Sequence, residues 1–363
     1  MNIKAVFPGK YIQGQGVLKE LPKWVDMLGS KGLLLASPSV KEKILPQFGN
    51  GVISERLQVE PFNGECCEDE ITRIAGLIGN RQVNVVIGMG GGKTIDTAKI
   101  AADRAGLPVI IVPTIASTDA PCSGCAVTYT NQGCFEAVHY QKMNPSIVLV
   151  DMDLLAAAPV RFLVSGMGDA LSTWFEARSC ELTQSMNECG GVSTKAGIHL
   201  ARLCYDTLLR YGVQAMNDNK AQVVSPALNY IAEANILLSG IGFESSGLAT
   251  AHSVHNGLTA LEETHAFYHG EKVAFGVQVG LHLTSAPADV INEVYTFCEQ
   301  VGLPTTFRDI GLKRPSRNDL MKAAENACAP NSPIHHEVAI VTPAKVLDAM
   351  IKADALGAAR KNG

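Results

Sequence analysis

Four short, unbroken apolar runs constrain this chain more than any other feature: GLLLA at 32–36, VNVVIG at 83–88, PVIIVP at 108–113 and SIVLVD at 146–151. A strand with one wet face alternates apolar and polar residues. Continuous apolar runs mark strands buried on both faces, as in a parallel sheet covered by helices. Stretches such as TIDTAKIAADRAG between the runs have helical patterning, so the first part of the chain reads as an α/β unit. From about Arg161 the apolar β-type runs mostly disappear, and long helical patterns follow at TKAGIHLARLCYDTLLRYG (194–212) and NYIAEANILLSGIGFESSG (229–247). Two domains are expected, α/β over 1–160 and all-α over 161–363, with ALGAARKNG at the end of the chain a fraying helix terminus.

The formal net charge is −5 and the 30 basic residues are scattered, which excludes a nucleic-acid surface or an anionic-membrane patch and favours a small-molecule protein. The first residues, MNIKAVFPGKYIQGQG, lack the apolar core of a signal peptide, and no apolar run approaches the ~20 residues of a membrane span. A cytoplasmic location is expected. The ten cysteines lack disulfide-framework spacing, so most read as buried thiols. Cys122 and Cys125 form a lone C-x-x-C, for which loop packing outweighs a redox pair or half a zinc knuckle.

The segment VNVVIGMGGGKTIDT resembles two phosphate-binding patterns and completes neither. Gly88 and Gly90 begin G-x-G-x-x-G, but Lys93 occupies its third glycine position; Gly92, Lys93 and Thr94 match the end of a P-loop, but Ile87 occupies its first glycine. The context is a strand followed by a helix, with the glycines read into the turn between them. Unobstructed N–H groups at a helix start can receive a phosphate or pyrophosphate. A tight turn alone explains one or two glycines, not three followed by Lys-Thr. After the next strand, PTIASTDAPCSG offers Thr114, Ser117, Thr118, Asp119 and Ser123. By composition this is equally a turn-forming loop, but ligands of open α/β sheets bind beyond the strand C-termini, where both loops should lie.

Four of the nine histidines fall in AHSVHNGLTALEETHAFYHG. His252 and His255 are spaced i, i+3 and His265 and His269 i, i+4, so either pair can share a helix face and present nitrogens to a metal. Asp169, in SGMGDALSTWFEA beside two glycines and read as the start of a helix, supplies the carboxylate such a site needs.

Taken together, GMGGGKTIDTAK, PTIASTDAP, GMGDALSTWFEA, SGIGFESSGLATAHSVHNGLT and YHGEKVAFG resemble the glycerol dehydrogenases of the iron-containing alcohol dehydrogenase superfamily, with FNGEC early and GLPTT late extending the likeness over nearly the whole chain. The resemblance implies a dinucleotide-binding α/β domain, an all-helical metal- and substrate-binding domain, and an active site in the cleft between them. It assigns Asp169, His252 and His269 to one catalytic zinc per subunit. The iron-dependent branch has a further histidine where this chain has Thr173, and three ligands suit zinc with open coordination positions. His255 and His265 match no ligand, and His255 is open to orienting a ligand, relaying a proton or an ordinary structural role. For NAD the resemblance implies Gly91, Gly92 and Lys93 at the pyrophosphate, then Thr114, Ser117, Ser123, Cys125 and Tyr129, with Cys125 standing where relatives often have leucine. Asp119 matches a residue near the substrate, with a role in accepting a hydrogen bond or removing a proton. NAD-preferring relatives carry an aspartate after the strand equivalent to GLLLA, whereas this chain has Ser37. A carboxylate repels a 2′-phosphate and a serine does not, which leaves NADP open. The implied reaction oxidises glycerol, or another vicinal diol, to dihydroxyacetone or the hydroxyketone.

Related readings are an NADP-dependent hydroxyketone reductase, a dehydroquinate synthase-like lyase that uses NAD transiently, and a glycerol-1-phosphate dehydrogenase. The last two need a basic cluster for a substrate phosphate, absent near the zinc motifs. A non-catalytic nucleotide-binding protein is disfavoured by the intact Asp169, His252 and His269 set. The resemblance also implies a homo-oligomer, commonly an octamer.

Overall fold

A computed structural model describes residues 2–48 and 56–362. Its first part contains β1 (Tyr11–Gly14), α1 (Leu21–Leu28), β2 (Gly32–Ala36), α2 (Leu45–Phe48), β3 (Leu57–Pro61), α3 (Glu68–Arg81), β4 (Val85–Gly90), α4 (Gly92–Ala105), β5 (Val109–Pro113), β6 (Cys125–Tyr129), β7 (Phe135–Tyr140) and β8 (Ile147–Asp151). Helices follow: α5 (Met152–Ala157), α6 (Val160–Thr183), α7 (Lys195–Lys220), α8 (Pro226–Glu233), α9 (Ser239–Ser246), α10 (Thr250–Leu258), α11 (His269–Leu283), α12 (Ala288–Val301), α13 (Arg317–Ala327) and α14 (Pro343–Asn362). Among the described residues no strand follows β8, and Val192 makes only an isolated bridge to Ile3.

The sheet is parallel throughout, in the order β1-β8-β5-β4-β2-β3. All four apolar runs are in it, and β2, β4, β5 and β8 are buried along their whole lengths. Alternation within β2 feeds two cores: Leu33 and Leu35 face one that continues into the helical region through Met167 and Leu208, while Leu34 and Ala36 face another with Leu18, Leu21 and Val25. The strands β1 and β3 are short or only half-buried, and the antiparallel β6–β7 hairpin is largely exposed along β7. A continuous apolar run cannot signal strands of that kind.

Two boundaries differ from the sequence reading. Strand β4 runs through Gly90, so Gly88 and Gly90 belong to the strand, Gly91 caps α4 and Gly92 is its first residue. A side chain at Gly88 would place its Cβ 2.7 Å from that of Ala98, so the glycine serves close strand–helix packing. Asp169 is not near the start of its helix: α6 begins at Val160, and Asp169 is buried in its middle. Of the glycines beside it, Gly168 permits a close helix crossing, described below, and Gly166 a close approach of the Ala116 backbone.

The connection from β2 moves to β3 on one side, whereas β4 leads to β5 and β8 on the other. The direction of winding therefore reverses between the paired strands β2 and β4, and a crevice opens beyond the C-terminal ends of strands at such a point.

Candidate active site

Ser37 and the glycine loop flank this crevice. The Ser37 N–H donates to Met89 O at 3.1 Å, and a Cβ added to Gly90, whose φ is +157°, would stand 3.0 Å from the Ser37 Cβ. Ser37 Oγ contacts Ser39 Oγ at 3.2 Å and remains near the surface. Helix α4 has no side-chain cap and no acidic residue in its first turn, so its leading N–H groups and positive dipole end are available to an anion. Lys93 ion-pairs with Glu65 at 2.6 Å and lies 5.0 Å from the centre of the Tyr129 ring. On the neighbouring strand, the Thr114 N–H donates to Gly90 O at 3.1 Å. Ser37, Gly91, Gly92, Lys93, Thr114 and Tyr129 thus gather around one end of the sheet.

The loop from Thr114 to Cys125 is held from inside by Lys99. This fully buried ammonium donates to Ala120 O at 3.0 Å, Ser123 O at 3.1 Å and Cys125 O, and faces Asp96 at 3.5 Å. Ser123 Oγ turns inward, 3.3 Å from both Ala120 O and Cys125 O. The Ser117 carbonyl accepts from Ser165 Oγ at 3.4 Å. Cys122 and Cys125 are free thiols; burial pushes the Cys122 thiol well above its ordinary pKa, the behaviour of an inert packing cysteine.

Across the crevice, three helices converge. A Cβ on Gly168 would fall onto Gly270 O, and one on Gly270 onto Ser165 O. Only bare backbone at these positions lets α6 and α11 cross so closely, and the crossing brings His269, the first residue of α11, to Asp169 on α6. Helix α10 brings His252 alongside. His269 Nε2 lies 3.1 Å and His252 Nε2 3.5 Å from Asp169 Oδ1, and one ligating atom from each of the three residues lies within 4.8 Å of the others. Asp169 Oδ1 is buried and accepts no well-directed hydrogen bond, while Oδ2 accepts from the Asp119 N–H at 3.2 Å. An orphaned carboxylate oxygen facing two imidazole nitrogens is a donor set that fits a divalent cation. Burial pushes the Asp169 pKa upward, but the imidazoles, His269 foremost, more than reverse this and hold it well below the ordinary carboxylate range. For His252, burial works against the charged form, yet Glu176 and Asp169 raise its pKa. A cation bound at such a donor set would take the place of any proton on the ligating atoms.

Asp119 is buried beside this cluster. Its Oδ2 accepts from Ser239 Oγ at 2.8 Å, and Ser239 Oγ in turn lies 2.8 Å from Thr173 Oγ1. Burial first, and the Asp169 charge second, raise the Asp119 pKa well above its ordinary value. A π turn at Ala234–Leu238 precedes Ser239, and its Asn235 donates to Ala116 O and Leu163 O, both at 3.1 Å, tying the Asp119 loop to α6.

The four histidines separate in role. His255 shares α10 with His252, and its Nε2 meets His269 Nδ1 at 3.1 Å. His265 and His269 do not share a helix face, because His265 ends a short 3-10 turn, and its Nε2 contacts Thr259 O at 2.9 Å on the surface.

The model for iron-containing alcohol dehydrogenases matches residues 8–152. A glycerol dehydrogenase from Thermotoga maritima is 49% identical over the full length of both chains. The chain belongs to the glycerol dehydrogenase family. A glycolaldehyde reductase from Halobacterium salinarum is 43% identical over 96% of each chain, so relatives of similar identity carry names for different small hydroxylated substrates. The crystal structure of glycerol dehydrogenase from Schizosaccharomyces pombe superposes with a TM-score of 0.94 at 34% identity, covering 99% of this chain and 92% of that one. Family membership makes the chain an oxidoreductase and confirms the expected architecture, a parallel sheet with flanking helices followed by a helical region.

Sequence reasoning missed three supporting residues: Glu176, whose carboxylate meets His252 Nδ1 at 2.6 Å, Lys99 and Ser239. Glu176 had a readable signal, since it follows Asp169 by seven residues on one helix and so projects from the same face. The other two had none, because the groups they hold are distant in sequence.

Proposed function

We propose that this protein is a zinc-dependent polyol dehydrogenase that oxidises glycerol or a related vicinal diol, to dihydroxyacetone or the corresponding hydroxyketone, and passes the hydride to NAD. The observation that carries this reading is the cluster of the buried Asp169 with His252 and His269 beside Asp119, across the crevice from an uncapped helix N-terminus. Two imidazoles and one carboxylate, with Thr173 engaged by Ser239 instead of supplying a fourth ligand, suit a catalytic zinc with open positions. When bound there, the cation would polarise a substrate hydroxyl and lower its pKa.

The chain's own groups do the rest. A vicinal diol offers two adjacent oxygens to the open side of the cluster. Ser239 fixes Asp119 through Oδ2, which leaves Oδ1 to accept a hydrogen bond from the reacting hydroxyl and assist removal of its proton. Gly91, Gly92 and Lys93 receive the cofactor pyrophosphate at the start of α4. Thr114, Ser117 and Tyr129 follow the cofactor toward the cluster, with Ser123 and Cys125 contributing through backbone, since the Ser123 hydroxyl is already engaged. Ser37 borders the adenosine ribose.

A second reading, reduction of a hydroxyketone with NADPH, is favoured by Ser37, which lacks the charge that rejects a 2′-phosphate. The decisive experiment follows reduced nicotinamide by absorbance, with NAD and NADP against glycerol, other vicinal diols and hydroxyketones, on protein whose metal content has been measured. Turnover of glycerol with NAD by zinc-loaded protein is the expected result; a zinc-loaded protein that turns over no diol overturns the reading.

The same reading divides the chain at 160/161, a division supported by the start of α6 at Val160 and the helical character thereafter. It also includes homo-oligomerisation, up to an octamer, supported by exposed apolar side chains such as Phe135, Val138 and Tyr140 on the hairpin. A cytoplasmic location is supported by the ten free thiols; no helix among the described residues is long and apolar enough to cross a membrane.

A further inference from the structure

Glu176 is a buried carboxylate whose every hydrogen bond goes to one end of one helix. Its side chain is only 2% exposed. Its Oε1 accepts from the Ala249 N–H at 2.9 Å and the His252 N–H at 3.0 Å, and its Oε2 meets His252 Nδ1 at 2.6 Å. Helix α10 has no side-chain cap of its own, because Ala249 occupies the cap position. The leading N–H groups of a helix need acceptors, and here a carboxylate from another helix supplies them.

We propose that Glu176 is the positioning residue of the metal site: it fixes the proton of His252 on Nδ1, turns Nε2 toward Asp169, and anchors the start of α10 so that the ring cannot withdraw. The proposal rests on the reading that Asp169, His252 and His269 hold a metal. A neutral imidazole carries one N–H, and an ionised carboxylate can only accept. Placing Glu176 against Nδ1 therefore leaves the Nε2 lone pair free on the side facing Asp169 Oδ1, 3.5 Å away. A protein carboxylate in this position also raises the basicity of the ligand nitrogen.

The other histidine lacks this support. His269 Nδ1 meets only the neutral-type partner His255 Nε2, at 3.1 Å, and His255 Nδ1 lies 3.0 Å from Asn256 Oδ1. His269 is 36% exposed against 12% for His252. The site thus has one imidazole backed by a carboxylate and one backed by a second imidazole.

The test substitutes Glu176→Gln, which keeps the shape and one oxygen for the backbone N–H groups but can direct its NH2 at His252 Nδ1. Zinc and cobalt(II) affinities of metal-free wild type and E176Q are measured by competition with a chromogenic chelator, together with NAD affinity and the metal-free unfolding midpoint. E176Q should bind both metals about 10- to 100-fold more weakly, with an altered cobalt ligand-field spectrum, while NAD affinity stays at the wild-type value. Wild-type metal affinity and spectrum in E176Q overturn the proposal. Should E176Q fail to fold, 15N NMR of histidine-labelled, zinc-loaded wild type decides: a proton on Nδ1 of His252 supports the assignment, and a proton on Nε2 overturns it. Wild type that binds neither metal overturns the underlying metal-site reading, a result that appears before any substitution is compared.

Discussion

At the scale of single residues, the proposed cofactor preference turns on one hydroxyl. Ser37 sits where β2 and β4 part and beside Gly90, so a group attached there faces whatever lies across the glycine loop. A carboxylate would repel a 2′-phosphate and accept hydrogen bonds from a free ribose. Ser37→Asp should therefore raise the KM for NADP at least tenfold while leaving that for NAD unchanged or lower, as measured by steady-state kinetics with both cofactors. Equal effects on the two cofactors would remove Ser37 from the ribose site. Asp119 has a different expected signature. Asp119→Asn keeps the acceptor for Ser239 but loses the proton-accepting group, so kcat should fall about 10²- to 10⁴-fold with zinc content and NAD affinity retained. The cluster of Asp169, His252 and His269 was legible in the sequence because histidines concentrated in one short segment, and the resemblance singled out two of them and Asp169. Lys99 was not legible: a lysine in an amphipathic helix ordinarily reads as solvated, and its three carbonyl partners lie more than twenty residues away.

At the scale of elements, the site depends on how closely α6 and α11 cross. The sequence showed glycines beside Asp169 but placed them at a helix start, since Gly and Asp are common at helix ends; their use is inside the helix, Gly168 in a backbone-to-backbone contact with Gly270 and Gly166 against the backbone of Ala116. Gly168→Ala would drive a methyl group into Gly270 O. The helices must separate, at a cost of about 1–3 kcal/mol of stability, and His269 must move away from Asp169. Chemical denaturation should report the first effect and weaker zinc retention the second. A neutral result on both would show that the crossing tolerates a methyl group. A separate clamp joins the end of β3 to α3: Glu70, 4% exposed, accepts from Asn63, just past β3, and from Arg73, which also donates to Glu60 and to Pro61 O. Burial acts to raise its pKa, but the bonds from Arg73 and Asn63 outweigh burial and lower it. A depressed folded pKa means that the contribution is complete above the unfolded value of about 4.3 and is lost as pH falls through the lower folded value. Stability of wild type should thus decline in that acidic window, and Glu70→Gln should flatten this part of the curve; an unchanged acid limb in urea titrations would contradict the linkage.

At the scale of the whole molecule, the apolar runs sufficed for a parallel sheet because the two-sided burial of β2, β4, β5 and β8 leaves its mark within each strand. Strand order left no such mark. The reversal between β2 and β4 that opens the crevice is a property of long-range pairing, and it joins Ser37, the glycine loop and the Asp119 loop at one edge. The candidate metal cluster then draws on three helices that share one core with the sheet, since Asp169, His252 and His269 come from α6, α10 and α11, and the Asp169 carboxylate also receives the N–H of Asp119 from the loop after β5. A ligand that binds only the folded state stabilises it by RT ln(1 + [L]/Kd), about 2.7 kcal/mol at 100 times Kd. Chelation should accordingly lower the unfolding temperature by several degrees, and zinc should restore it with a dependence on its free concentration. His252→Ala should lose both the zinc content and this response while still binding NAD, because the glycine loop lies outside the cluster. A variant that kept the full zinc-dependent shift would show that the stabilising cation sits elsewhere, and it would take the metal away from the three helices that the fold brings together.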